Sequence, residues 1–428
     1  MVVWCLRLIG AAPFPLLSEP MQQVIPVNPD LLRWARVEAG YSLPDAASRA
    51  KIAAPRKGKN RPEQTAVDRL AGWENGSNAP SLSQLERLAK AYRRPLITFF
   101  LPKPPEKMAA MPDFRTLGGS TAGADSPEFS ALRRRIAVLQ QELRDLSKDA
   151  GSEKLSFIGS ISDDTPVSDF VGDIRRTLGV KVEDQMHTRD GGDLFRLLRS
   201  AAQRAGIYVL VVGDLGTHHS SIAVDEFRGM ALADELAPMV VINPNDRTPA
   251  RLFTLMHELA HLWLGSTGIS SFDALCAKWE PTDFCGGAGH GSRERLCNSV
   301  AGEFLVPEAD LLTLWEATKE SPELAAKTLA TRFKVSEAVL GRRLLDLGLI
   351  SGDAYAKLLA KCMARWKKLK DDKPKDGGAP RPETMDKFRL GEKTIQTLIS
   401  AAQAGHIGFH HAARLMNIPV SRFDKVAQ

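Results

Sequence analysis

The stretch His257-Glu258-Leu259-Ala260-His261 constrains this chain more than any other. Thr254-Leu255-Met256 before it and Leu262-Trp263-Leu264 after it are apolar and helix-compatible, with no internal Gly or Pro, so the segment reads as a buried amphipathic helix. Histidines four residues apart share one face of such a helix. An apolar helix seldom buries two His and a Glu without a use for them. Paired imidazoles at this spacing form a minimal clamp for zinc, and Glu258 would sit beside the water that the metal activates. The bland alternative makes both His hydrogen-bonded core residues and turns Glu258 to solvent.

A catalytic zinc usually takes three protein groups and leaves a fourth position open. The third candidate lies in Arg293-Glu294-Arg295-Leu296-Cys297-Asn298-Ser299-Val300-Ala301-Gly302-Glu303-Phe304-Leu305-Val306-Pro307, where a helical stripe runs from Glu294 through Cys297, Asn298, Ala301 and Leu305. Glu303 is nine residues beyond Glu294, about half a turn around the same helix, so the two carboxylates cannot serve one metal. Glu294 shares the apolar stripe and is the expected ligand.

Phe253 to His261, followed by Glu294 to Pro307, resembles the ImmA/IrrE family of zinc metallopeptidases, whose downstream segment reads roughly E-x-x-A-N-x-x-A-x-x-L-L-M-P. This chain has Cys297 for the usual Ala, Phe304 and Leu305 at the paired Leu positions, and Val306 for Met. Phe227-Arg228-Gly229 and the strand-like Pro238-Met239-Val240-Val241-Ile242-Asn243 also match the family's approach to its metal helix. The residues imply peptide-bond hydrolysis at Zn2+ held by His257, His261 and Glu294, with Glu258 as general base and proton shuttle. No oxyanion-stabilising group stands out, since His290 and the pair His218-His219 read first as loop residues. Cys276 and Cys285 near His290 suggest a second metal site only weakly, because no C-x-x-C pair is present.

At 428 residues the chain is too long for one ordinary core, and 43% hydrophobic with 25% charged residues fits a globular protein of two or three domains. Five scattered Cys form no disulfide framework, which points to a reducing, cytoplasmic setting, and no segment is long and apolar enough to span a bilayer. The net charge of +6 conceals an asymmetry: Asp30 to Lys107 carries +7, Lys361 to Gln428 carries +7, and residues 108–360 carry −8. Basic ends of this kind are the electrostatic footprint of nucleic-acid binding.

In the first basic region, apolar spacing predicts helices over Asp30 to Ala39, over Leu43 to Ala50 behind a Ser42 cap, through Gln64 to Trp73, and onward from Ser81. Trp73-Glu74-Asn75-Gly76 followed by Pro80 to Ala89 resembles the XRE/Cro-like helix-turn-helix domain. By position, that resemblance makes Gln64, Thr65 and Arg69 the expected DNA contacts. A long basic segment from Lys51 to Pro62 replaces the tight turn, placed either to clamp phosphates or to meet a protein.

The Pro-rich run from Arg94 to Pro105 and Met111 to Leu117 resembles the linker of ImmA/IrrE proteins fused to such a domain, and a long packing helix follows from Ser126 to Ser147. Leu329 to Ile350 reads as helix-turn-helix closing the peptidase region, and Lys367 to Pro382 as a charged linker. The expected architecture is mainly α with a small β-sheet in the peptidase domain. Its parts are a tail or mis-assigned start over 1–25, a helix-turn-helix bundle over 26–102, a linker over 103–125, a zincin-like domain over 126–360, a linker over 361–382 and a C-terminal helical module over 383–428. Two functions compete: a DNA-tethered regulatory peptidase that cuts a repressor or antitoxin-like protein, of the kind that serves stress responses, and a non-proteolytic regulator or antitoxin that uses the fold for binding.

Overall fold

The computed structural model describes residues 27–54, 65–105, 125–217, 220–270, 290–316, 322–371 and 381–427. It divides into two compact units, 1–107 and 108–428.

In the first unit, four helices follow the predicted spacing: α1 (Pro29–Glu38), α2 (Leu43–Arg49), α3 (Ala66–Glu74) and α4 (Leu82–Tyr92), then a 3-10 turn at Leu96–Phe100. Asn28, Ser42 and Thr65 each cap a helix by accepting from a first-turn backbone N–H. Gly40 and Gly76 sit at φ +70° and +77°, left-handed turns that glycine supplies where helices stop. The apolar stripes meet in one core of Leu32, Ala35, Leu70, Trp73, Leu85, Leu88, Tyr92 and Phe99. Glu74 of the tryptophan signature is buried and takes a two-pronged ion pair from Arg36, at 2.7 and 2.9 Å. A buried pair of that geometry fixes α1 against α3 and is costly to break from one side.

The second unit contains α5 (Pro127–Asp149), α6 (Val167–Leu178), α7 (Val182–His187) and α8 (Gly191–Arg204), followed by a sheet of β1 (Tyr208–Val211), β2 (Gly229–Leu232), β3 (Met239–Ile242) and β4 (Gly268–Ser270). The strand order is β1-β3-β2-β4, with β1 parallel to β3 and the other pairs antiparallel. Between β3 and β4 runs α9 (Thr248–Trp263), and after β4 come α10 (His290–Leu305), α11 (Glu308–Glu316), α12 (Pro322–Phe333), α13 (Glu337–Asp346) and α14 (Gly352–Asp371). The last helices are α15 (Pro382–Leu390), α16 (Glu392–Gln403), α17 (Phe409–Met416) and α18 (Phe423–Ala427). This is the mainly α arrangement with one small sheet that the sequence implies.

All four strands are buried on both faces, so alternation along them sorts side chains between two cores. Val209, Val211, Ala231, Val240 and Ile242 face the core shared with α8, α9 and α10. Tyr208, Leu210, Met230, Leu232, Met239, Val241 and Ile269 face a second core shared with α5 and the C-terminal helices. Residues 383–428 therefore do not stand apart as a separate module. Leu390, Leu398, Met416 and Phe423 pack with Leu132 and Leu139 of α5 over the back of the sheet. Arg199 of α8 reinforces this by donating to Phe388 O at 2.6 Å and to Val209 O. The expected boundary at 360 falls inside α14, because Leu358 and Cys362 are buried in the first core and carry the helix past it.

Candidate metal centre

From Thr254 to Trp263 every residue of α9 is buried, which fits a helix apolar on all sides running through the middle of a core. Trp263 anchors its C-terminal end, donating to Asp173 Oδ2 at 2.8 Å and stacking on Phe157 with ring centroids 4.5 Å apart. The expected inward stripe of α10 is buried at Glu294, Cys297, Ala301 and Leu305. Gln185 fixes the far end of α10, its amide donating to Leu305 O at 2.7 Å and Phe333 O at 3.1 Å. Arg175 adds a bond to Phe304 O and lies 4.1 Å above the Phe304 ring.

These two helices bring His257, His261 and Glu294 together. The imidazole Nε2 atoms are 3.0 Å apart, and the Glu294 oxygens lie 3.2 Å from His257 Nε2 and 3.0 Å from His261 Nε2. Only these three residues form such a cluster among the described residues, with ligand atoms within 4.8 Å of one another. The spacing approaches the ~3.3 Å edge of a tetrahedron whose metal bonds are about 2.0 Å. Apart from these two imidazoles, neither Glu294 oxygen has a hydrogen-bond partner among the described residues. The donor atoms of three groups thus converge on one point, an arrangement that a single cation satisfies. Glu303 turns away, as its position nine residues on requires, and pairs with Arg343.

Glu258 is fully buried beside His257 on the same helix, and apart from the Ser270 hydroxyl neither carboxylate oxygen has a hydrogen-bond partner among the described residues. Burial raises its carboxyl above the ordinary 4.5, against the opposing pull of His257 and His261. That is the direction a base working near neutral pH requires. Burial would strip the proton from His257, yet the adjoining Glu294 outweighs it and raises the imidazole above its ordinary 6.5. Burial likewise favours the protonated form of Glu294, and His257 and His261 override it, holding the carboxylate below its usual range.

Below its raised pKa His257 holds a proton that a cation must displace. The His257 contribution to metal-free stability is complete below its unfolded value and fades as pH rises through the raised one, so metal uptake gains as pH increases. Zinc binding is therefore expected to release a proton. Calorimetry in two buffers of different ionisation heat measures this, and a heat independent of buffer would contradict it.

Sequence reasoning missed three neighbours. Cys297 Sγ lies 3.6 Å from His261 Nδ1, and Ser270 Oγ lies 3.3 Å from His257 Nε2. Asn298, one turn from Glu294, acts on His257 by hydrogen bonding. The first and third lie on the predicted stripe of α10, whereas nothing in the sequence around Ser270 marks it.

Of the residues expected at DNA, Thr65 caps α3 in a reciprocal box with Asp68, and Arg69 donates to Ala53 O at 3.1 Å and lies over the Trp73 ring. Gln64 falls outside the described residues, as do most of the Lys51 to Pro62 segment, His218, His219, Cys276, Cys285 and the side chain of His290. No helix of the described residues is long and apolar enough to cross a membrane.

Residues 203–345 match the Peptidase_M78 family model, described as an IrrE N-terminal-like domain. The matched span holds the whole sheet, α9 and α10, and thus every residue of the candidate centre. It supports a metallopeptidase-type domain of the ImmA/IrrE kind there. No curated protein and no solved structure matches the chain.

Proposed function

We propose that this chain is a zinc metallo-endopeptidase of narrow specificity, cytoplasmic, that cuts one partner protein, a transcriptional repressor or antitoxin-like protein, and reaches DNA through its N-terminal unit. The observation that carries the reading is the meeting of His257, His261 and Glu294, with the buried Glu258 beside His257 on the same helix. Zinc bound there would polarise the scissile carbonyl and make water acidic enough to attack near neutral pH.

The chain's own residues do the rest. His257 and His261 present Nε2, and Glu294 presents a carboxylate that the two imidazoles keep ionised. Glu258 takes a proton from the attacking water and delivers it to the leaving nitrogen. The apolar walls of α9 and α10 hold bulk water away from that carboxylate. A binding-only descendant of a peptidase is free to lose a ligand, and this chain keeps all four groups. The DNA assignment is supported by the +7 charge over Asp30 to Lys107 and by the capped helices around Trp73.

Metal analysis of the purified chain, followed by incubation with the repressor proteins encoded nearest to it, tests the reading. One zinc per chain and a single cut in one repressor are expected, with cleavage lost on chelation and regained on adding zinc. Failure to take up zinc, or cleavage indifferent to the chelator, removes the peptidase assignment.

A further inference from the structure

The geometry points to Ser270 as a positioning residue that orients the Glu258 carboxylate, with Gly229 opposite it keeping the seat for that carboxylate open. The inference rests on the metallopeptidase reading above.

The register of the sheet creates the seat. Gly229 of β2 pairs directly with Ser270 of β4, so the two share one face of the sheet. It is the face under α9, since Ala231, two residues along β2, lies in the α9 core. A Cβ on residue 229 would come within 2.4 Å of Glu258 Oε1 and 2.6 Å of Thr254 Cγ2. Gly229 is not among the left-handed glycines, so space rather than backbone conformation demands it. The strand thus leaves one missing side chain under the general base.

Across the pair, Ser270 is fully buried and its hydroxyl faces His257 Nε2 at 3.3 Å. Its backbone is fixed by Arg228 N donating to Ser270 O at 2.9 Å, so the hydroxyl has little freedom of place. In the Nδ1–H tautomer that binds a metal through Nε2, a neutral imidazole has one available lone pair, on Nε2. That lone pair is the one a metal takes, and with it taken the Glu258 carboxylate, already within hydrogen-bonding reach of Ser270, is the acceptor left for the hydroxyl proton. The buried Glu258 oxygens have no other hydrogen-bond partner among the described residues. Ser270 therefore couples occupation of the metal site to a fixed orientation of the base.

Acetohydroxamate, a small metal-binding acid whose hydroxyl proton passes to a general base, is a probe that needs no substrate. With Co2+ in the site, its binding is read from the visible spectrum. Ser270→Ala is expected to keep one metal per chain with affinity within about threefold of wild type, and to bind acetohydroxamate about tenfold more weakly, the scale of one hydrogen bond to a charged group. Ser270→Thr, which restores the hydroxyl, should return most of that loss. Gly229→Ala should keep the metal and weaken the hydroxamate to a similar extent.

Unchanged hydroxamate affinity in Ser270→Ala overturns the inference, as does a loss that Ser270→Thr does not relieve. A collapse of metal affinity in Ser270→Ala would make it a ligand instead, and also overturns it. Should Ser270→Ala fail to fold, Gly229→Ala decides alone, since unaltered hydroxamate binding there leaves the seat without effect. In all these outcomes the wild type still takes up metal; if it does not, the peptidase reading itself has failed.

Discussion

Glu258→Gln is expected to retain zinc at one per chain while cutting the partner protein about 10²–10⁴-fold more slowly. Glutamine matches the shape of the glutamate and adds nothing that would disturb the neighbouring ligands. It cannot accept the proton of the attacking water. The side chain is fully buried, and the amide oxygen of Gln can still accept from the Ser270 hydroxyl, so no structural bond is broken by the exchange. The kinetic and metal measurements should therefore separate cleanly: kcat falls, zinc content does not. Activity equal to wild type would put the base elsewhere, and loss of zinc would make Glu258 part of the metal's support.

Trp263→Ala is expected to cost about 3–5 kcal/mol of stability, at the upper end of single substitutions. Trp263 is fully buried at the end of the metal helix, donates to Asp173 and stacks on Phe157. Removing it leaves a large cavity in the core beneath α9 and takes one donor from Asp173 of α6, which keeps its pair with Arg176. Denaturant unfolding followed by circular dichroism measures the change as a lower midpoint. Because His261 lies two residues before Trp263, metal affinity should fall as well. A midpoint within about 0.5 kcal/mol of wild type would mean that the site collapses around the smaller side chain.

The sequence makes the candidate metal ligands legible because helical geometry is local. The four-residue step from His257 to His261 and the stripe through Glu294, Cys297 and Ala301 each describe one helix face, and both faces are buried as expected. The nine-residue offset of Glu303 likewise forbids it from the site, and it pairs with Arg343. What was not legible depends on contacts between distant segments. Ser270 and Gly229 gain their places from a strand register that no local pattern encodes.

Glu74 reads as part of a recognition-helix signature, yet it is the buried partner of Arg36, 38 residues earlier. Amphipathic spacing in residues 383–428 reveals an apolar face but not its cover, which is the back of the sheet and α5. The helices of the N-terminal unit were readable to within a residue or two, since caps such as Ser42 and stops such as Gly76 act on their immediate neighbours.

The sheet that floors the centre has its reverse side covered by helices from the far end of the chain. During synthesis the candidate ligands and the base emerge more than a hundred residues before Leu398 and Met416, ahead of the helices that cover the reverse side of the sheet. A nascent or prematurely ended chain holds the catalytic groups without the backing that sets their distances. On the proposed reading, a chain ended before these helices is expected to keep the signature of a protease and to lose cleavage of the partner.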